Sequence, residues 1–137
     1  MTDAPRSPIT GRPLRRDVRP MTLSYQGRTL QVDMPGWYGE DEGDSLHSRE
    51  DLRVSDRALN RLKAEAMGLA LPEDIRRIRK RLGVSQIEAG ELIGGGPRAF
   101  QKYEAGDLLP SRAISSALAL LDEHPEGLET LRRRRTM

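Results

Sequence analysis

Hydrophobic and polar positions alternate in the first third of the chain and follow a helical period in the remainder. Apolar residues occupy every second position over 21–25 and again over 30–34. A period of two is that of a half-buried strand, and Gln26-Gly27 can form the turn between two such strands. Pro35-Gly36 is expected to end the second strand. This pattern predicts a β-hairpin.

The segments on either side of the hairpin have weaker patterns. Residues 1–14 are rich in Pro, Ser, Thr and Arg without any period, so we expect them to lie loose. Residues 39–50 predict an acidic loop. A helical period starts after Ser55, a suitable N-cap, and continues to Gly68, which can end the helix. We expect this helix to bridge a small N-terminal domain, residues 1–68, to the domain that follows.

The C-terminal region, residues 69–137, predicts five helices separated by Gly and Pro. They are expected at 72–82, 85–93, 97–104, 112–122 and from about 125 onward. A capping box, Ser85 to Glu88, starts the second of them, and a Gly-Gly-Gly turn precedes the third. The second helix, the turn and the third helix have the lengths of a helix-turn-helix unit. The predicted fold class is therefore mainly α, with a five-helix helix-turn-helix domain after a small β-hairpin domain and a bridging helix.

The composition of the chain argues against several classes of protein. The 137 residues include no cysteine, which excludes disulfides and thiolate metal sites, and no apolar stretch approaches a membrane span. With no signal-peptide pattern at the N-terminus, we expect a cytoplasmic protein. No nucleophile with a base and no cofactor motif is present, so we expect neither an enzyme nor a cofactor or metal. The acidic cluster at 40–44 fits no calcium-loop spacing.

Two basic runs, 76–81 and 132–135, suggest a polyanionic partner. The third predicted C-terminal helix carries long polar side chains on one face, which base edges and phosphates require. We predict base contacts from Arg98, Gln101 and Lys102, with a phosphate contact as the alternative for Lys102. The predicted phosphate contacts are basic residues or lie at helix starts: Arg76, Arg79, Lys80, Ser85, Gln86, Gly95 and Gly96.

Several motifs resemble known families. Gly83-Val84-Ser85-Gln86 and Tyr103-Glu104-Ala105-Gly106 resemble the Xre/lambda-repressor class of helix-turn-helix domains. The glycine turn with the following Ala99-Phe100, and the segment 120–126 with its His-Pro-Glu, resemble the MqsA antitoxin family. The resemblance implies an antitoxin of a type II toxin–antitoxin system, which neutralises a toxin, commonly an mRNA-cleaving ribonuclease, and represses its own operon as a dimer on double-stranded operator DNA. It also implies base reading at Arg98 and Lys102, although the family more often has Asn at the first of these positions. The alternative is a stand-alone Xre-type repressor with no toxin partner.

The N-terminal half departs from the family in one respect. Family members carry Cys-x-x-Cys-Gly near the start and a second Cys-x-x-Cys after the hairpin, and these cysteines bind a structural zinc. Here Ser7–Gly11 and Gly39–Gly43 stand at those places, without a thiol. Because Ser, Thr, Gly and Glu cannot replace four thiolates, we expect no zinc. An unsupported hairpin is marginally stable, so this half is expected to depend on contacts to partners.

Two protein interfaces are predicted from apolar residues. The toxin is expected to contact the hairpin, by extending its exposed strand edge, at Leu30, Val32, Met34 and Trp37. A second copy of the chain is expected to contact the last two helices at Leu118, Leu121, Leu128 and Leu131. The alternative for both sets is that they form the core of their own domain.

Overall fold

The computed structural model describes residues 4–136, in which three strands precede six helices. The elements are β1 (Arg15–Tyr25), β2 (Arg28–Tyr38), β3 (Ser45–Leu46), α1 (Arg49–Met67), α2 (Pro72–Leu82), α3 (Gln86–Leu92), α4 (Ala99–Ala105), α5 (Arg112–Glu123) and α6 (Gly127–Thr136). The chain divides into two compact units, one up to Leu59 and one from Asn60 onward. A β-sheet unit followed by a helical unit agrees with the predicted fold class in outline.

The N-terminal unit is built on the predicted hairpin. β1 and β2 pair antiparallel from Arg15 opposite Tyr38 to Tyr25 opposite Arg28. Gln26 and Gly27 form the turn with positive φ angles of 48° and 77°, as the tight hairpin turn that matches strand twist requires. The hairpin and its turn are therefore confirmed, but the strands are longer than predicted.

β2 does not end at Pro35-Gly36 but continues to Tyr38. Pro35 is tolerated because β3 pairs with β2 only at its last two residues, which leaves Pro35 on an edge. Gly36 is required at its position, since a Cβ there would meet the ring of His47 within 2.6 Å. Pro and Gly thus act here as strand residues rather than as a stop.

The segment before β1 is ordered, so the prediction of a loose N-terminus is wrong for the described residues 4–14. Arg6 bridges to Pro13, the Ser7 N–H donates to the Arg12 carbonyl at 2.8 Å, and Leu14 is buried. This segment, rich in Pro and polar residues, forms a closed turn because its backbone groups find hydrogen-bond partners within the turn itself.

α1 begins six residues before the predicted N-cap. The Asp51 N–H donates to Ser48 Oγ at 3.1 Å, and the Ser48 N–H donates to Asp51 Oδ2 at 2.9 Å. This reciprocal capping box starts the helix, while Ser55 lies inside it and donates its hydroxyl to the Leu52 carbonyl. Two serines suited to capping lie close together, and the one with an acidic residue three positions later starts the helix.

The C-terminal unit contains the five predicted helices, α2–α6. Pro72 is in the first turn of α2, and Gly83 ends the helix in the left-handed conformation. α4 begins at Ala99 rather than Pro97, with Arg98 as its N-cap. The last turns of α1 also belong to this unit, where Asn60 donates to the Gly106 carbonyl at 2.9 Å. The boundary between the units therefore lies inside α1, not after residue 68.

The helical unit has one apolar core. Its buried members are Ile75, Ile78, Val84, Ala89, Ala99, Phe100, Tyr103, Leu118, Leu121 and Leu128. Three of the four leucines predicted to meet a second copy, Leu118, Leu121 and Leu128, are at most 5% exposed in the single chain. The dimer prediction is wrong for these three, because their period on α5 and α6 places them toward their own core. Leu131 is partly buried against the same cluster.

Candidate functional site

α3 and α4 approach each other closely through glycines. A Cβ on Gly90 of α3 would overlap the Gly96 carbonyl, and a Cβ on Gly95 would lie 2.7 Å from the Ala99 Cβ. Gly94, Gly95 and Gly96 all have positive φ, which side chains other than glycine rarely adopt. The sequence folds this way because only glycine gives a turn this tight between two seven-residue helices.

The predicted polar face of α4 is exposed. Phe100 and Tyr103 point into the core with their rings 5.4 Å apart, edge to face. The side chains of Arg98, Gln101 and Lys102 are all exposed, and none has a hydrogen bond or ion pair within the described residues. The structure therefore brings these three donors together on one surface, available for a ligand.

Arg79 is not available in the same way. Its guanidinium donates to both Glu104 oxygens, Nε at 2.7 Å and Nη2 at 2.9 Å, and Nη1 donates to the Val84 carbonyl. The paired side chains are 13% and 7% exposed. Hydrogen bonds to Glu104 raise the pKa of Arg79 above its ordinary value. The prediction that Arg79 contacts phosphate is wrong, because this pair joins α2 to α4 inside the unit.

A cleft of about 550 Å³ lies beside α4. Its lining residues are Arg76, Arg79, Ser85, Gln86, Gln101, Glu104 and Ala105. The cleft places one predicted base contact, Gln101, beside four predicted phosphate contacts, of which Arg79 is already paired with Glu104. Arg76 at this cleft and the nearby α2 residue Lys80 are exposed, with no hydrogen bond or ion pair among residues 4–136.

The start of α3 differs in detail from the predicted capping box. Ser85 Oγ accepts the Glu88 N–H at 3.1 Å, as predicted, and keeps its own proton for another acceptor. The Glu88 carboxylate faces Arg132 at 3.6 Å.

In the glycine turn, the Gly96 N–H donates to the Gly90 carbonyl at 3.2 Å. That N–H is therefore occupied, and the predicted phosphate contact from the Gly96 amide is wrong, whereas Gly95 is exposed.

The two basic runs are partly neutralised inside the unit. Arg77 and Arg81 both bind Asp122, and the hydrogen bond from Arg77 lowers the pKa of that carboxyl group. Arg132 and Arg135 of α6 face Glu88 and Glu91 of α3. The basic runs alone do not reveal these acidic partners, because the partners lie 40 or more positions away along the chain.

The hairpin carries the residues predicted to meet a toxin. Met34 is 1% exposed, so its predicted contact with a partner is wrong, because β2 turns it into the unit's own core. Leu30 and Val32 are half-buried, and so is Trp37, whose ring lies 5.6 Å from the Arg16 guanidinium. Within the described chain, β1 has no strand on its outer edge, and β3 covers β2 only at Trp37 and Tyr38.

Arg16 also holds the start of α1. Its guanidinium binds both carboxylate oxygens of Asp51, at 2.8 and 2.5 Å. This hydrogen bond, with further ones from Ser48, holds the pKa of the buried Asp51 well below its ordinary value. The β1 strand and the capping box of α1 are thereby joined within the N-terminal unit.

The residues at the family's zinc-binding places do not fit a metal. Ser7 and Thr10 offer hydroxyls, and no group of three or more His, Cys, Asp or Glu side chains in residues 4–136 is arranged to hold an ion. Of the helices in the same range, none is long and apolar enough to cross a membrane.

Comparison with known proteins identifies the class and then the family. The family model described as "Antitoxin component of bacterial toxin-antitoxin system, MqsA" matches residues 6–132. Antitoxin MqsA of Escherichia coli (strain K12) is 32% identical over 120 residues, which cover 84% of this chain and 89% of that protein. These matches place the chain among the antitoxin components of toxin–antitoxin systems. The chain belongs to the MqsA antitoxin family, as the resemblance of the glycine turn and the His-Pro-Glu segment predicts.

Proposed function

We propose that this antitoxin binds operator DNA through α3 and α4, a helix-turn-helix unit of the Xre type, and represses its own operon. The observation that carries this proposal is the exposed face of Arg98, Gln101 and Lys102, whose side chains have no partner within the described chain. Long donors on a short, rigidly packed helix are suited to base edges in the major groove. Arg98 and Lys102 read bases in this proposal, and Gln101 lies between them.

The adjoining cleft supplies phosphate contacts. Arg76 at the cleft and Lys80 elsewhere on α2 bring positive charge, and Ser85 and Gln86 at the cleft bring hydrogen-bond donors. Contacts of this kind orient the helix on the duplex without reading its sequence. Arg79 takes no part, because Glu104 already neutralises it.

Two copies bind together in this proposal, since one short recognition helix reads few base pairs. We place the dimer interface on a different face of α5 from the one first predicted. Leu120 on this face is 63% exposed, and Ala113 and Ser116 share the face at a spacing of three and four residues. Of the four leucines predicted to contact a second copy, Leu131 on α6 is kept in this interface.

The N-terminal hairpin is the proposed toxin-binding region. Within the described chain, β1 has no strand on its outer edge and β3 covers β2 only at its last two residues, so a partner's strand can extend the sheet. Trp37 is the single tryptophan of the chain and lies on β2, and Leu30 and Val32 add apolar surface. We infer a toxin of the mRNA-cleaving ribonuclease type from the family alone.

DNA reading is tested by measuring the affinity of the full chain for its operator and for a scrambled duplex. Arg98→Ala should lose about 1–3 kcal/mol of discrimination between the two. Arg76→Ala should weaken both equally and reduce the salt dependence by about one charge. Arg53→Ala, on exposed α1 surface, is the matched control. Unchanged discrimination in Arg98→Ala would show that α4 does not read the sequence.

Toxin binding is tested with the protein encoded beside this gene. Trp37→Ala should weaken that complex by about 2 kcal/mol or more while leaving operator affinity unchanged. Leu120→Asp should separate the two copies, so it should weaken operator binding and leave the affinity for the toxin unchanged. If no neighbouring product is toxic or binds the chain, the stand-alone repressor is the better interpretation.

A further inference from the structure

Two loops of the N-terminal unit meet through a pair of buried side chains. The first loop, residues 7–11, and the second, residues 39–44, contain the places where the family's cysteine pairs stand. Ser7 Oγ lies 2.8 and 2.7 Å from the two carboxylate oxygens of Asp44, to which its hydroxyl donates. Ser7 is 4% exposed and Asp44 is 2% exposed. The contact spans 37 positions of sequence.

The first loop closes around the Ser7 hydroxyl. Its oxygen accepts the N–H groups of Ile9 and Thr10, each at 3.0 Å, while the Gly11 N–H donates to the Ser7 carbonyl. A serine with these local bonds shapes a turn by itself. The hydroxyl proton is left to point at Asp44.

The second loop closes around Asp44. The Gly39 N–H donates to the Asp44 carbonyl at 2.8 Å, and the Asp44 N–H donates to the Asp41 carbonyl at 3.1 Å. A Cβ on Gly39 would overlap the Asp44 carboxylate, so glycine is needed for the carboxylate to lie over the backbone. Each loop is therefore shaped around one of the two paired side chains.

A structural zinc site needs four nitrogen or sulfur ligands, or carboxylates, in a tetrahedron. The pair offers one carboxylate and one hydroxyl, and the hydroxyl oxygen already accepts two N–H groups. Among the described residues, no buried side-chain polar atom lacks a hydrogen-bond partner. The site is complete as a hydrogen-bonded cluster.

We propose that the Ser7–Asp44 hydrogen bond takes the structural place of the zinc ion in this chain, closing the two loops and making the fold of the N-terminal unit independent of metal. A buried carboxylate is costly without a partner, and a hydrogen bond to a charged group is among the stronger ones. The inference concerns folding, so it holds or fails independently of the proposed DNA and toxin binding.

The experiment follows the thermal unfolding of the full chain by the fluorescence of Trp37, which is the single tryptophan and lies on β2. Ser7→Ala leaves the Asp44 carboxylate unpaired and should lower the midpoint by roughly 5–15 °C. Asp44→Ala should act in the same direction. The matched controls are Ser24→Ala and Asp33→Ala on the exposed hairpin face, which should leave the midpoint unchanged.

The double variant Ser7→Ala/Asp44→Ala should lose less than the sum of the two single losses, because neither partner is then left unsatisfied. If Asp44→Ala shows no cooperative Trp37 transition while the helical circular dichroism persists, the pair is needed for this unit to fold. Single variants that match their controls, or losses that add without coupling, would overturn the proposal.

Metal dependence is measured on the same wild-type protein, produced in zinc-supplemented medium. Elemental analysis should find no stoichiometric zinc, and neither EDTA nor added zinc should move the Trp37 midpoint. One zinc per chain, with a lower midpoint after EDTA, would show that a metal closes these loops and would overturn the proposal.

Discussion

The two compact units bury different kinds of side chains. From Asn60 onward, ten apolar residues form one buried cluster. Up to Leu59, the buried residues include three apolar side chains, Leu14, Met34 and Tyr38, beside three polar ones, Ser7, Asp44 and Asp51. Among the residues that the structure describes, every buried polar or charged residue is one of these three.

This difference determines how each unit responds to change. Apolar burial is non-directional, so its stabilisation is distributed over many contacts. A buried carboxylate depends on particular atoms at particular distances, and removing one partner leaves the other unsatisfied. The stability of the N-terminal unit therefore depends strongly on the Ser7–Asp44 and Arg16–Asp51 pairs. The stability of the helical unit depends mainly on the packing of its apolar core.

The largest effect is expected from the apolar core. Phe100→Ala removes a fully buried ring and should cost about 3–5 kcal/mol of the free energy of unfolding, measured by helical circular dichroism in denaturant. Ile87→Ala, at an exposed apolar position in the same unit, should change it by about 0.5 kcal/mol or less. If Phe100→Ala lowered the Trp37 transition equally, the contrast between separately stabilised units would be lost.

The Arg79–Glu104 pair tests whether polar pairing also matters in the helical unit, since it is an ion pair inside a unit that is otherwise held by apolar packing. Arg79→Met leaves Glu104 unpaired and should cost about 3 kcal/mol by the same circular dichroism measurement. Arg76→Met, one turn away and exposed, is the control. A variant as stable as the control would show that the core alone positions α4.

The smallest effect is expected from pH. Arg16 holds the pKa of Asp51 below its ordinary 3.8, so the folded unit binds that proton less readily than the unfolded chain. The pair's stabilisation is therefore complete above pH about 4–5 and is lost as the pH falls further. The Trp37 midpoint of Arg16→Gln should start below that of wild type at pH 6 and fall less toward pH 3.

Arg15→Gln is the control for the pH series, because Arg15 is exposed with no ion pair in the described chain. Parallel pH curves for wild type and Arg16→Gln would contradict the assignment of the acid response to Asp51.

Local signals in the sequence were sufficient for the elements that depend on neighbouring residues. Gln26-Gly27, Pro72 and Gly83 act where they stand, through φ angles and capping, so the hairpin turn and α2 are as predicted. The failures come from competition between similar signals. Ser48 and Ser55 both suit an N-cap, and only the first is paired with an acidic residue that completes the box.

Long-range pairing could not be predicted for the surfaces. Arg76 and Arg79 look alike in sequence, yet Arg76 is exposed while Arg79 faces Glu104, 25 positions away. Leu118 and Leu120 also look alike, and only their rotation on α5 decides that one is buried and the other exposed. Which arginine and which leucine can meet a partner depends on the neighbours brought near by folding.

The sequence by itself determined the antitoxin family, the hairpin followed by six helices, the glycine turn before α4 and the absence of cysteines, because each is recorded in consecutive residues. It did not show β3, which lies within the predicted loop 39–50. Only the tertiary structure decided that the loops left without cysteines are closed by Ser7 and Asp44. A hydroxyl and a carboxylate have no spacing rule that links them over 37 positions. Their pairing follows from the hairpin, whose register brings the chain before β1 back beside the loop after β2.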